Sequence, residues 1–182
     1  MSTSSKLVTA EDLRAMGEDA PFELIRGELR RVSPTHGWHG VVAGNFASEL
    51  ALYSREILPG KILIAEAGYF AERDPDTVVA PDLSFIRLDR LPSQEELERD
   101  YVRVPPDVVL EVRSPSNTKA EIEEKVLIYL EAGARLVLAA DPGPKTIRVR
   151  TPEGRDETLG IDDVLDGGDV LPGFHVPVAR FF

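Results

Sequence analysis

Two apolar runs in this chain begin with Pro-Asp: Ala80-Pro-Asp-Leu-Ser-Phe85 and Pro105-Pro-Asp-Val-Val-Leu-Glu-Val112. Proline lacks an N–H, so it suits the first residue of a strand and marks where pairing begins. On the second run, strand alternation places Asp107, Val109, Glu111 and Arg113 on one face. Glu111 is thus a carboxylate at the end of a Val/Leu strand, and desolvating it alone is costly. It needs a partner, Arg113 or Lys125, or a metal. Thr118-Lys-Ala-Glu121 is a capping box, which accounts for Glu121. Lys125 stands at i+3 from Ile122 and i−4 from Tyr129, on the edge of a buried stripe. From there it can lean toward the end of the Glu111 strand. Two carboxylates and an ammonium so arranged can bind Mg²⁺ and activate water. Magnesium prefers oxygen ligands and keeps several waters, so one or two carboxylates suffice. The lysine would orient the water or offset charge developing on a phosphate.

The elements that must position these groups follow from periodicity. A capping box at Thr9-Ala-Glu-Asp12 opens a short helix that stops near Gly17. Residues 22–25 and 28–32 read as a hairpin turning at Arg26-Gly27. Val42, Phe46, Leu50, Tyr53 and Ile57 recur at helical spacing from His39 to Pro59-Gly60. Strands are expected over 61–70, 78–86 and 107–112, with a short solvated helix over 93–100. Thr118 caps a helix with the stripe Ile122, Val126, Tyr129 and Leu130, closing at Gly133. Strands over 136–140 and 146–150 flank the turn Asp141-Pro-Gly-Pro144. The apolar tail over 168–182 is expected to pack on the sheet. The order implies one α/β domain over 1–182, a mixed sheet with helices packed on it.

Composition narrows the function classes. In 182 residues there are 21 basic and 32 acidic side chains, a net charge of −11, with 42% hydrophobic residues. This is the balance of a soluble globular protein, and the acidity opposes a general nucleic-acid-coating role. With no cysteine, thiol nucleophiles, zinc-thiolate sites and disulfides are excluded. Three histidines are too few for a histidine cage. A Gly-rich phosphate loop, a G-x-S-x-G elbow and a dinucleotide fingerprint are absent. No apolar span or signal-peptide core is present, so a cytoplasmic location is expected.

Pro81-Asp82, Glu111-Val-Arg-Ser-Pro-Ser116, Glu121, Lys125 and Tyr129 together resemble the putative restriction-endonuclease family of the PD-(D/E)xK nuclease superfamily. In that family the motif lysine has migrated from the strand to the following helix. The resemblance covers nearly the whole chain. Phe22-Glu-Leu-Ile-Arg-Gly-Glu-Leu29 matches the family's N-terminal hairpin, and Ser33-Pro34 with His39-Gly40 the start of its long helix. Ala132-Gly133, Asp141-Pro142 and Leu171-Pro-Gly-Phe174 match its later segments. The resemblance implies a restriction-endonuclease-like core and a metal-dependent DNA endonuclease using Mg²⁺ or Mn²⁺. It makes Asp82 and Glu111 the catalytic metal ligands, the Val112 carbonyl a further ligand, and Lys125 the catalytic lysine. Arg113 departs from the family pattern. It stays charged, so it contacts a phosphate or clamps Glu111 in competition with the metal.

Other residues carry weaker signals. Glu23 is an accessory carboxylate or an exposed strand residue; Glu49 is a third acid or, with better odds, a helix-surface salt bridge. His39 lies beside Val42 and Phe46, and a hydrogen-bonded core histidine is expected there. Arg26, Arg30, Arg31, Arg113 and Lys125 are candidates for a local basic strip. The apolar tail suggests a homodimer or higher homo-oligomer. The competing functional class is a catalytically altered, homo-oligomeric binding module, favoured by the net charge and by Arg113.

Overall fold

Pro81 divides what reads in the sequence as a single strand. The computed structural model describes residues 7–17, 20–32, 34–64 and 67–182. Helix α1 (Ala10–Ala15) precedes the hairpin β1 (Phe22–Ile25) and β2 (Glu28–Arg31), then the long helix α2 (Gly37–Glu56). Strands β3 (Gly60–Ile64), β4 (Tyr69–Glu72), β5 (Thr77–Val79) and β6 (Leu83–Arg87) follow, then α3 (Gln94–Arg99) and β7 (Val108–Val112). Helix α4 (Lys119–Glu131), β8 (Leu136–Asp141), β9 (Thr146–Arg150), β10 (Asp156–Leu159), β11 (Val164–Asp166), β12 (His175–Pro177) and a 3-10 turn (Val178–Arg180) complete the described chain. Six strands form one sheet in the order β10-β9-β8-β7-β6-β3; a second has the order β2-β1-β5-β4.

The strand expected over 78–86 is therefore two strands in two sheets. β5 pairs with β1 and β4, whereas β6 pairs with β3 and β7. Ala80-Pro81-Asp82 carries the chain between them, and Pro81 has no N–H with which to extend either ladder. The strand expected over 61–70 divides likewise, with β3 in the larger sheet and β4 in the smaller. Residues 65 and 66 lie outside the described residues, as does Ser33 of Ser33-Pro34. Strands β10, β11 and β12 have no counterpart in the sequence reading. They are three or four residues long, too short for alternation to show.

Within the larger sheet only β7 and β8 run parallel. A parallel pair needs a crossover, and α4 supplies it. Its Thr118–Glu121 capping box is closed as expected. Val126, Ile128 and Tyr129 pack on Val109 and Val137 on one face of the sheet. On the other face, Val42, Phe46, Leu50 and Tyr53 of α2 cover Val108, Leu110 and Val112. Ile57 is exposed, because α2 ends at Glu56 before the stripe reaches it. All of β7 is buried, so Glu111 sits in an apolar strand covered on both sides.

The tail packs inside the same core. Val170, Leu171, Phe174, Val176, Val178 and Phe181 are buried with the α2 stripe. Phe181 stacks on Phe46 with centroids 3.9 Å apart, and the Tyr53 hydroxyl donates to Pro172 O at 2.9 Å. Most of the apolar segment that suggested self-association thus covers its own sheet, with Phe182 half-buried beside it. Among the described residues, no helix is long and apolar enough to cross a membrane.

Candidate active site

The last antiparallel partners of β6 and β7 are Leu83 and Leu110. Asp82 immediately precedes β6, beside the end of β7 that carries Glu111. The Val112 N–H donates to Asp82 Oδ2 at 2.6 Å, tying the end of one strand to the linker before the other. The Nε2 of His39, in the first turn of α2, lies 3.1 Å from the same oxygen. From the opposite face of the sheet, α4 brings Lys125 Nζ to 2.7 Å from Glu111 Oε1 and 2.9 Å from Glu23 Oε1. Tyr129, one turn on, donates its hydroxyl to Glu111 Oε1 at 2.6 Å. Glu23 Oε1 also accepts the Ala80 N–H at 2.8 Å. Lys125 meets Glu111 at one end of the sheet, and Asp82 lies at that end as well, bonded to the β7 backbone next to Glu111.

These contacts set the charges. Burial pushes Glu111 up to about 7, against the pull of Lys125 and with the repulsion of Asp82 and Glu23. Desolvation alone would lower Lys125, but the Glu111 and Glu23 carboxylates outweigh it and raise its pKa. Lys125 is therefore a protonated ammonium between two acids. Burial and the neighbouring Glu111 keep the Tyr129 phenol protonated. The Asp82 hydrogen bond raises His39 against the opposing effect of burial.

Each carboxylate divides its two oxygens in the same way. Asp82 Oδ2, Glu111 Oε1 and Glu23 Oε1 accept the hydrogen bonds and make the closest ion-pair contacts. Among the described residues, no hydrogen bond engages Asp82 Oδ1, Glu111 Oε2 or Glu23 Oε2. Among the same residues, no fully buried side-chain nitrogen or oxygen lacks a partner, so these spare oxygens keep some solvent access. Spare carboxylate oxygens beside a strand-end carbonyl form an all-oxygen donor set, which fits a hard cation such as Mg²⁺. No group of three His, Asp or Glu side chains among the described residues is gathered tightly enough to enclose an ion. The set suits a cation that keeps several waters. Beside it lies a cavity of about 320 Å³, lined by His39, Asp82, Ile64 and the small residues of α2.

The remaining candidates fall elsewhere. Arg113 turns from Glu111: it donates to Asp141 Oδ2 at 2.8 Å and to Asn117 O at 3.2 Å, so it does not clamp the carboxylate. Glu49 pairs with Arg180 at 2.7 Å, the helix-surface bridge that was expected. Glu23 is buried and belongs to the site rather than to an exposed strand face. His39 is hydrogen-bonded as expected, but on Asp82 and not in the core. Of the five basic residues considered for a strip, Arg30, Arg113 and Lys125 are paired with acids, and Arg26 and Arg31 have no acidic partner among the described residues.

A family profile described as Uma2, "Putative restriction endonuclease", matches residues 9–179. The chain belongs to this family. Uma2 membership is consistent with the PD-(D/E)xK superfamily. The crystal structure of a putative nuclease belonging to DUF820 from Anabaena variabilis ATCC 29413 superposes with a TM-score of 0.83 at 19% identity. The match covers 96% of this chain and 97% of that one, so the Uma2 chain has the same restriction-endonuclease-like fold. Among curated proteins, none matches the chain.

Proposed function

We propose that the protein is a Mg²⁺- or Mn²⁺-dependent DNA endonuclease that hydrolyses phosphodiester bonds. The observation that carries this reading is the Lys125–Glu111 pair at the end of β7, with Asp82 bonded to the next backbone N–H of the same strand, Val112. Asp82, Glu111 and the Val112 carbonyl would hold the cation. When bound, it would lower the pKa of water and offset phosphate charge. Lys125 stays protonated, so it cannot be the base; it positions the attacking water and stabilises negative charge developing on the phosphate. Hydrolysis joins the water oxygen to phosphorus, breaks the bond to the leaving deoxyribose oxygen, and returns a proton to that oxygen. A homodimer would suit cleavage of both strands, and light scattering measures it.

The test is nicking of supercoiled plasmid across a Mg²⁺ titration, with circular dichroism as the folding control. Glu111→Gln is expected to abolish nicking, since it removes the charge that holds the cation. Lys125 is removed together with its buried counter-charge, as Glu23→Gln/Lys125→Met, because two unpaired buried acids would destabilise the fold by about 3–5 kcal/mol. This pair is expected to fold and to lose roughly 10²–10³ in rate. Wild-type nicking by Glu111→Gln would identify a contaminant. The second reading, a catalytically altered homo-oligomeric binding module, draws on the net charge of −11 and the pairing of Lys125 inside the protein. DNA binding without nicking at any Mg²⁺ concentration would favour it.

A further inference from the structure

We propose that His39 is a positioning residue that, together with the Val112 amide, holds one oxygen of Asp82 so that the other is presented to the divalent cation. The inference rests on the metal-dependent reading above and adds a residue to it. The two donors come from different elements, α2 and β7, and both act on Oδ2, at 3.1 and 2.6 Å. Gripped from two directions at one oxygen, the carboxylate cannot rotate without losing a contact, and Oδ1 accepts no hydrogen bond among the described residues; the His39 ring is also bonded to the Val112 backbone, which fixes it beside the strand end. The His39 side chain is only 10% exposed. Its ring lines the cavity beside Asp82, and the neighbouring wall, Gly40, Ala43, Gly44 and Ala47, has no polar side chain to take its place. A Cβ added at Gly40 or Gly44 would meet nothing within 4 Å, so the space beyond the ring is open.

A histidine that only filled space here would be replaceable by any side chain of similar length. A histidine holding Asp82 by its N–H is replaceable only by another donor. Partners that orient a ligating carboxylate typically cost about 10–100-fold in metal affinity when removed. A histidine that instead occupied the cation's place would, on removal, tighten metal binding.

Calorimetric titration of the full chain with Mg²⁺ and Mn²⁺ at one fixed pH separates these cases, with thermal melts as the folding control. His39→Met, matched in length but without a donor, is expected to weaken binding about 10–100-fold. His39→Gln, whose amide nitrogen can reach Oδ2, is expected to recover most of the affinity. Should His39→Met not melt cooperatively, His39→Leu is the donor-less variant to compare with His39→Gln. Unchanged or tighter binding by the donor-less variant, or a glutamine no better than it, would overturn the role of His39 alone. Wild-type protein that takes up neither cation would overturn the metal reading itself, and this role with it.

Discussion

At the proposed metal site, proton and cation would compete for Glu111 near neutrality. Burial raises its pKa from 4.5 to about 7, so across that interval the native state holds a proton that the unfolded chain releases. Stability contributed by this group therefore falls as pH rises through the interval. His39 acts in the same direction: its raised pKa contributes stability fully present below 6.5 and lost as pH climbs through the folded value. Cation binding needs Glu111 ionised and follows the opposite course. The rise in Tm on adding Mg²⁺ is expected to grow as pH increases through about 7 and then level off. Scanning calorimetry with and without Mg²⁺ measures it, and an increment that shrinks over that range would contradict the assignment of Glu111 as ligand. At this scale Asp82, Glu111 and Lys125 were legible because charged groups interrupt apolar patterns. His39 was not, because its spacing from Val42 and Phe46 places it in the buried stripe. Only its position at the start of α2, level with the strand ends, distinguishes it from the core residues that follow.

Identical Pro-Asp pairs open two segments, and the elements around them give them different work. Asp82 keeps a spare oxygen. Asp107 is fully buried and spends its carboxylate on Arg90 Nη1 at 2.5 Å, Arg135 Nη1 at 3.1 Å and the Arg87 N–H at 2.9 Å. It ties β7 to the end of β6 and to the turn before β8. Asp107→Ala is expected to cost about 3 kcal/mol in urea unfolding, by leaving these donors without their acceptor, with no direct effect on cation affinity. The partners lie 17, 20 and 28 positions from Asp107, separations that no local pattern reveals. Capping boxes were readable at Thr9 and Thr118 because they are local. The division of residues 78–86 between two sheets was not, although Pro81 marks the place, since pairing partners are decided across the chain.

Taken whole, the molecule is acidic, and the cations nearest the site are largely spent on its own carboxylates. With Arg26 and Arg31 as the strip residues lacking acidic partners, about two phosphate contacts are expected. The logarithmic salt slope of DNA affinity should then be about −2, roughly a three- to fourfold loss per doubling of salt. Fluorescence anisotropy with a labelled duplex measures it, and a slope steeper than about −5 would reveal a basic surface elsewhere. Burial of the tail under α2 accounts for its apolar content within the chain itself. Val170, Leu171, Phe174 and Phe181 read as a surplus of hydrophobic residues only until Phe46 and Tyr53 are seen to need covering.

Glu23 belongs to the smaller sheet and Glu111 to the larger, and Lys125 joins them where Ala80-Pro81-Asp82 crosses between the two. The lysine is thus a rivet between the sheets, whatever part it takes in the proposed chemistry. Its ammonium also lies 3.4 Å from Ala80 O, and Glu23 holds the Ala80 N–H, so the crossing peptide is gripped on both sides. Any motion that widened the gap between the sheets to admit a bulkier substrate would have to break the contacts on which the chemistry depends. The fold therefore binds the width of its opening to the state of its charges, and an open form of this site would be an idle one.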